Sequence, residues 1–260
     1  MELTSATSEN SGVWESVAWE LCSTYFTLAT HLQERPPSSY CSSSEIEKDI
    51  TSFMHKALRT IDELCKRNSA RLPVYAYRRA VIYHRLGSLY HKLYRENSSK
   101  DSVNTSKTKN WKNLAELNYE KSSAGYLELI SDAYVDLIHI NLERTLLMLL
   151  YADNIASHSL KLKAYEKALR LLLECKPAFW EMEKSSHPTA DHQASDSQDS
   201  TGRRATRRGT AAAGGWQCGE VADEEDVTTL SNSVLQRMQL LSRNFLKFYR
   251  SQRSGGTDAK

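Results

Sequence analysis

From Val13 onward, apolar residues return every three to four positions and are broken at intervals by short polar runs. That period belongs to α-helices lying with one face on a core. In the first run Val17, Leu21, Thr24, Tyr25, Leu28 and Leu32 share a face. Pro36-Pro37 stops the helix, because proline lacks the N–H and clashes with the preceding turn. A Pro/Ser-rich loop over 36–44 leads to a second stripe of Ile46, Ile50, Phe53, Ala57, Ile61 and Leu64. Ser43 or Ser44 is the expected cap, with Glu45 and Glu47 in the first turn. A third helix, over 74–96, has two apolar sides. One holds Tyr77, Ala80, Val81, His84 and Gly87; the other holds Tyr83, Leu86, Tyr90 and Leu93. Two such sides mean a helix packed between neighbours.

Residues 97–109 carry no period and read as an insertion loop. Further helices follow over 111–131, 133–153 and 157–184. The first of these turns Leu114, Ala115, Leu117, Tyr119 and Tyr126 inward. The second, almost wholly apolar around Leu146 to Leu150, is expected to be the most buried. The third is kinked at Pro177 or ends its regular part at Lys176. The periodicity then disappears. The domain organisation expected is a disordered N-terminus at 1–12, a helical-repeat domain at 13–184, a disordered Arg/Ser-rich linker at 185–221, a capping helix at 222–251 and a disordered tail at 252–260.

Within the third helix, Tyr83-x-x-Leu86-Gly87-x-x-Tyr90 matches the W-x-x-L-G-x-x-Y core of a tetratricopeptide first helix, with tyrosine for tryptophan. The glycine lets the paired helix approach closely, against a helix cost of about 1 kcal/mol relative to alanine. Ala115, Tyr119 and Ser122 have the small-aromatic-small spacing of a second helix, and Ala164-Tyr165-Glu166-Lys167-Ala168 repeats it. Ile50, Met54 and Ala57 fit more loosely. The fold expected is therefore all-α: antiparallel helix pairs, 13–67, 74–131 and 133–184, stacked as a degenerate tetratricopeptide-like superhelix. A generic helical bundle is the alternative.

Composition agrees. Glycine (10) and proline (5) are scarce over 260 residues, which favours long helices over a turn-rich β fold. A net charge of +2 gives no global pull toward nucleic acid or anionic membrane. The five cysteines are odd in number and widely spaced, as expected in a reducing compartment rather than a disulfide framework. Neither a signal-like start nor an apolar run of the roughly 20 residues that span a bilayer is visible. The expectation is a soluble protein of the nucleus or cytoplasm.

Chemistry is sparse. No P-loop, G-x-G-x-x-G, H-E-x-x-H or G-x-S-x-G occurs, so neither a cofactor site nor a catalytic centre is expected. His84 and His91 lie seven apart near one face, yet no nearby cysteine or carboxylate completes a metal shell, and packing is the plainer reading. Tyrosine outnumbers phenylalanine 13 to 5, which suits core packing with the hydroxyl at an edge, or a tyrosine-lined peptide groove. The local charge cluster is Arg203-Arg204-Ala205-Thr206-Arg207-Arg208-Gly209-Thr210. It reads as a solvated linker, as a basic import or phosphate-contacting patch, or as a kinase site at Thr206 and Thr210, where a phosphate would add about −1.5 to −2 charge. It lacks interleaved aromatics, which disfavours single-strand stacking.

Several blocks resemble the erythroid differentiation-related factor family. They are Trp19-Glu20-Leu21 with Ser23 to Thr30, Tyr77-Arg78-Arg79-Ala80 with Tyr83 to His91, Leu114 to Lys121, and Leu142-Glu143-Arg144, all in the same order. The likeness covers about residues 17–250 apart from the insertions, and the chain looks like the C-terminal part of a larger tetratricopeptide-like protein. The resemblance implies a nuclear factor that supports globin-gene transcription through protein partners, with no catalytic residues to carry over. The Arg-rich insertion at 203–208 departs from the family. The competing readings are a cytosolic chaperone adaptor of the clamp type, for which His84, Arg85 and Ser88 make a poor carboxylate clamp, and direct nucleic-acid binding through Arg203 to Arg208.

Overall fold

The computed structural model describes residues 3–39, 42–67, 70–98, 106–186 and 224–254. They form helices α1 (Leu3–Glu34), α2 (Ser43–Cys65), α3 (Leu72–Ser98), α4 (Ser106–Glu128), α5 (Ile130–Asp153), α6 (His158–Leu173), α7 (Lys176–Ser186) and α8 (Glu224–Ser254), with no strand among the described residues. The largest helix-to-helix contacts join α1 with α2, α3 with α4, and α5 with α6. Between pairs, α2 packs on α3 and α4 on α5. At the far end α7 packs on α5, and α8 lies on α6 and α5. This is the expected all-α tetratricopeptide-like stack, in which each unit buries its apolar side against its neighbours.

Two apolar clusters fill it. One joins α1, α2 and α3 around Cys22, Met54, Ile61, Tyr75 and Leu86; the other runs from α3 to α8 around Tyr119, Ile138, Leu147, Ala168 and Leu241. Partly buried Tyr90 and Trp111 pack against both. As expected of the most apolar stretch, α5 buries residues on several sides, although Leu146 itself is exposed.

Several boundaries move. Helix α1 begins at Leu3, where the periodicity predicts a loose N-terminus up to residue 12. No proline interrupts that stretch, and adding turns to an existing helix is easy where starting one is costly. Ser42, one residue before the expected position, caps α2, its hydroxyl accepting from the Glu45 N–H at 3.2 Å. The insertion at 97–109 shortens at both ends, with residues 99–105 outside the described ones. Helices α4 and α5 part at Leu129, and the backbone bends again at Ala133 (φ −125°, ψ 22°). Pro177 sits in the first turn of α7, where its missing N–H costs nothing. The regular part of the preceding helix therefore stops earlier than expected, at Leu173. Helix α8 runs three residues past the expected end, to Ser254.

The inward face of α1 also differs. Ala18, Trp19, Cys22 and Ala29 are buried, and of the expected stripe Tyr25 and Leu32 pack against the core, whereas Val17, Leu21, Thr24 and Leu28 face outward. The helix has two apolar sides, and the sequence pattern marks the uncovered one more strongly. On α4, Leu117 is likewise exposed.

Candidate functional site

Gly87 is where the second pair closes. A Cβ added there would come within 2.7 Å of Cε1 and 3.0 Å of Cγ of the Tyr119 ring, and closer still to Cδ1. Only a residue without a side chain lets α4 lie this near α3. Two turns toward the other end of the contact, Gly125 and Ala80 repeat the approach, with 3.0 Å from a Gly125 Cβ to that of Ala80, and Ser122 donates to the Ala80 carbonyl at 2.8 Å.

The Tyr119 hydroxyl emerges at the meeting of three helices. It donates to Glu143 Oε2 of α5 at 2.7 Å, and His91 Nδ1 of α3 lies 3.1 Å from it. His84 Nε2, also on α3, lies 3.3 Å from the other Glu143 oxygen. One step along the seam, the Tyr77 hydroxyl donates to Asp136 Oδ2 at 3.0 Å, beside the ring of Tyr126. The seam is thus a ladder of heptads: Tyr77, His84 and His91 on α3, Tyr119 and Tyr126 on α4, Asp136 and Glu143 on α5. Seven residues are close to two helical turns, so each set stays on one face.

Its electrostatics follow from burial. Burial, reinforced by the Glu143 charge and hydrogen bond, pushes the Tyr119 phenol far above its ordinary value. Burial also raises Tyr126, helped by Asp136. Burial lowers His91 below its ordinary 6.5, Glu143 opposing and Arg95 adding. For Glu143, burial acts upward, but the His84 bond and charge and the Tyr119 hydroxyl outweigh it and hold the carboxyl below its ordinary value. A phenol this firmly protonated, on a side chain with no solvent exposure, is a poor acid or base and an effective tie between helices. No group of three His, Cys, Asp or Glu among the described residues is placed to hold a metal ion.

The repeat-packing residues singled out in the sequence fall as follows. Leu86 is buried in the cluster shared with α1 and α2, and Tyr83 lies half-buried against it under the Lys121 ammonium at 5.1 Å. Tyr90 bridges both clusters. Ala115, Tyr119 and Ala168 are fully buried in the larger one. Arg203, Arg204, Thr206, Arg207, Arg208 and Thr210 lie outside the described residues. His84 and His91 do come together, around the Tyr119 ring, and Glu143 is the carboxylate that their spacing alone did not reveal. The matching heptad of Asp136 and Glu143 was the available signal.

A second polar knot lies toward α6. Arg144, 8% exposed, donates to Asn141 Oδ1 at 3.1 Å, to Ser123 Oγ at 3.4 Å and to Glu174 at 3.2 Å, and lies 3.8 Å from Glu120. Lys167 joins Glu116 and Glu120, and Lys112 pairs with Glu116 at 2.7 Å. The bonds from buried Arg144 to Ser123 and Glu174 tie α5 to α4 and to the end of α6.

A family model described as "Erythroid differentiation-related factor 1-like, TPR repeats" matches residues 1–260. Proteins named erythroid differentiation-related factor 1 are similar. Those of Pongo abelii and Homo sapiens are each 36% identical over 172 residues, which is 66% of this chain and 14% and 13% of theirs. That of Mus musculus is 34% identical over 184 residues, 71% of this chain and 14% of its own. The chain thus spans about a seventh of the length of these relatives. No solved structure matches. No helix among the described residues is long and apolar enough to cross a membrane.

Proposed function

The chain belongs to the erythroid differentiation-related factor 1-like family of TPR-repeat proteins, and from that premise we propose that it is a non-enzymatic scaffold that assembles proteins regulating transcription in the nucleus of differentiating erythroid cells. The observation that supports this reading most directly is the fate of the polar side chains. Tyr77, Tyr119, Asp136 and Glu143 are spent on holding helix pairs together, with their proton donors and acceptors facing one another. What such a stack offers a partner is shape and surface, the currency of solenoid recognition. The erythroid part of the reading rests on the names of the relatives, and the nuclear part on what the resemblance of the ordered sequence blocks implies.

A chaperone-type clamp fits less well. It needs free cations on the first helices to grip a terminal carboxylate. Arg85 here lies 3.6 Å from Glu34, and His84 is engaged by Glu143.

The test is affinity capture from nuclease-treated erythroid nuclear extract. The baits are the intact chain and a form with Arg203, Arg204, Arg207 and Arg208 changed to serine. The scaffold reading expects both baits to retain the same transcription regulators. Retention of DNA or RNA by the intact chain alone, before nuclease treatment and without protein partners, would replace it with a basic nucleic-acid tether.

A further inference from the structure

A cleft of about 490 Å³ opens where α4, α5, α6 and α7 meet. Leu127 of α4, Leu137 and Asn141 of α5, Leu173 of α6 and Pro177 of α7 line it, so its walls are mostly apolar. Leu127 and Leu173 are 51% and 61% exposed, and the cleft therefore does not close over what enters it.

Asn141 is fully buried, and the two ends of its amide fare differently. Its Oδ1 accepts from Arg144 Nη1 at 3.1 Å and from the Ser123 hydroxyl at 3.3 Å. A guanidinium only donates, so Arg144 fixes which end of the amide is the oxygen. The other end, Nδ2, has no acceptor among the described residues. The Cys175 sulfur near it is a weak acceptor. Burial pushes that thiol up to about 11 against the pull of the Asn141 amide, so it stays protonated, and its proton goes to the Leu171 carbonyl at 3.7 Å. A buried donor without an acceptor is costly to keep, and at the floor of an open cleft it marks where an acceptor is brought from outside. Arg170, Glu174 and Lys176 stand at the rim. Arg170 is bonded to Glu166 and Glu174 to Arg144, which leaves Lys176 as the rim charge with no counter-ion among the described residues.

We propose that this cleft binds an extended segment of a partner protein, with a bulky aliphatic side chain against Leu127 and Leu173, a main-chain carbonyl on Asn141 Nδ2 and a carboxylate near Lys176. A small ligand is enclosed by its site, whereas a side chain projecting from a polypeptide needs no lid. The segment is extended because a helix spends its carbonyls on its own N–H groups, and an extended chain leaves them free. No place in the repeat series is vacant here. The second and third pairs are both present and packed on each other, so a further repeat of a longer chain adds at an end of the stack and not into this cleft. Residues 187–215, which follow α7, include no Val, Leu, Ile, Met, Phe, Tyr or Trp and have nothing to fill it. The proposal deepens the scaffold reading and rests on its protein-binding part alone.

The probe is a phage-displayed library of random twelve-residue peptides, panned on the intact 260-residue chain. An enriched peptide is then synthesised with blocked ends and titrated by fluorescence anisotropy. Enriched sequences should share a bulky aliphatic residue with an Asp or Glu close by. Affinity should fall about tenfold or more in Leu173→Glu and in Asn141→Asp, and about threefold in Lys176→Ser. Leu173 is already in water, so Leu173→Glu should melt like the parent. Asn141→Asp keeps the oxygen that Arg144 holds and replaces the donor by an acceptor. Val17→Asp, on α1, should bind like the parent. Failure to enrich any peptide overturns the proposal, as does an affinity indifferent to Leu173→Glu and Asn141→Asp. So does a peptide that binds Trp216→Ala about tenfold more tightly than the parent, which would assign the cleft to the chain's own segment before α8. If peptides bind the cleft as stated and the nuclear capture retains no regulators, the nuclear reading falls and the cleft stands. If the capture succeeds and the peptides ignore the cleft, the reverse holds.

Discussion

Gly87 carries a helix penalty of about 1 kcal/mol relative to alanine, and the structure shows what it gains in return: the Tyr119 ring lies where a Cβ would be. Gly87→Ala is therefore expected to destabilise by about 1–3 kcal/mol in urea melts, as overpacking does, in spite of alanine's better propensity. In a Tyr119→Leu background the flat ring is gone and the cost should shrink toward the roughly 1 kcal/mol gain that propensity alone supplies. An equal penalty in both backgrounds would mean that the ring is not the obstacle. His91 supplies a second test. Its folded value lies below the ordinary 6.5, so as pH falls through 6.5 the unfolded chain takes up the proton first. Stability present above 6.5 is then lost toward the lower folded value. The groups acting on it are Glu143, Arg95 and the Tyr119 hydroxyl. Chemical melts of His91→Gln between pH 7.5 and 5.5 should show a flatter dependence than the parent. An identical slope would place the acid sensitivity elsewhere. The motif around Gly87 was legible because backbone approach demands glycine at a fixed spacing. Glu143 was not, since a carboxylate on an apolar helix gains its meaning only from what stands opposite.

Helices were legible as elements because a 3.6-residue period persists through substitution, and proline and serine mark where it stops. Their ends were less so. Ser42 rather than Ser43 or Ser44 caps α2, since which hydroxyl reaches a free N–H depends on the path of the loop. The break at Leu129 and the bend at Ala133 involve neither proline nor glycine. They place α5 against α4 and α6 together, a demand that local propensity does not encode. The face of α1 is the clearest miss. Val17, Leu21 and Leu28 of its stripe point outward, while the small residues Ala18, Cys22 and Ala29 are buried and Cys22 reaches the Ala57 carbonyl of α2. Periodicity ranks faces by hydrophobicity, whereas helix packing also rewards residues small enough to let backbones approach.

Across the whole molecule, two cores meet at Tyr90 and Trp111. In a stack stabilised by nearest-neighbour contacts, such bridging residues set how cooperatively the units unfold. The urea transitions seen by tryptophan fluorescence and by far-ultraviolet circular dichroism are expected to coincide in the parent and to separate in Tyr90→Ala. Coincident transitions in the variant would show that the cores are coupled by other contacts. The all-α class, the helix pairs and the Gly87 closure were already determined by the sequence, because spacing, breakers and a missing side chain are local properties that any fold must respect. The tyrosine, histidine and carboxylate seam, the ties of Arg144 and the bare stripe of α1 were decided only by the tertiary structure. Each depends on which faces of distant helices meet, and that is settled by the packing of the whole stack.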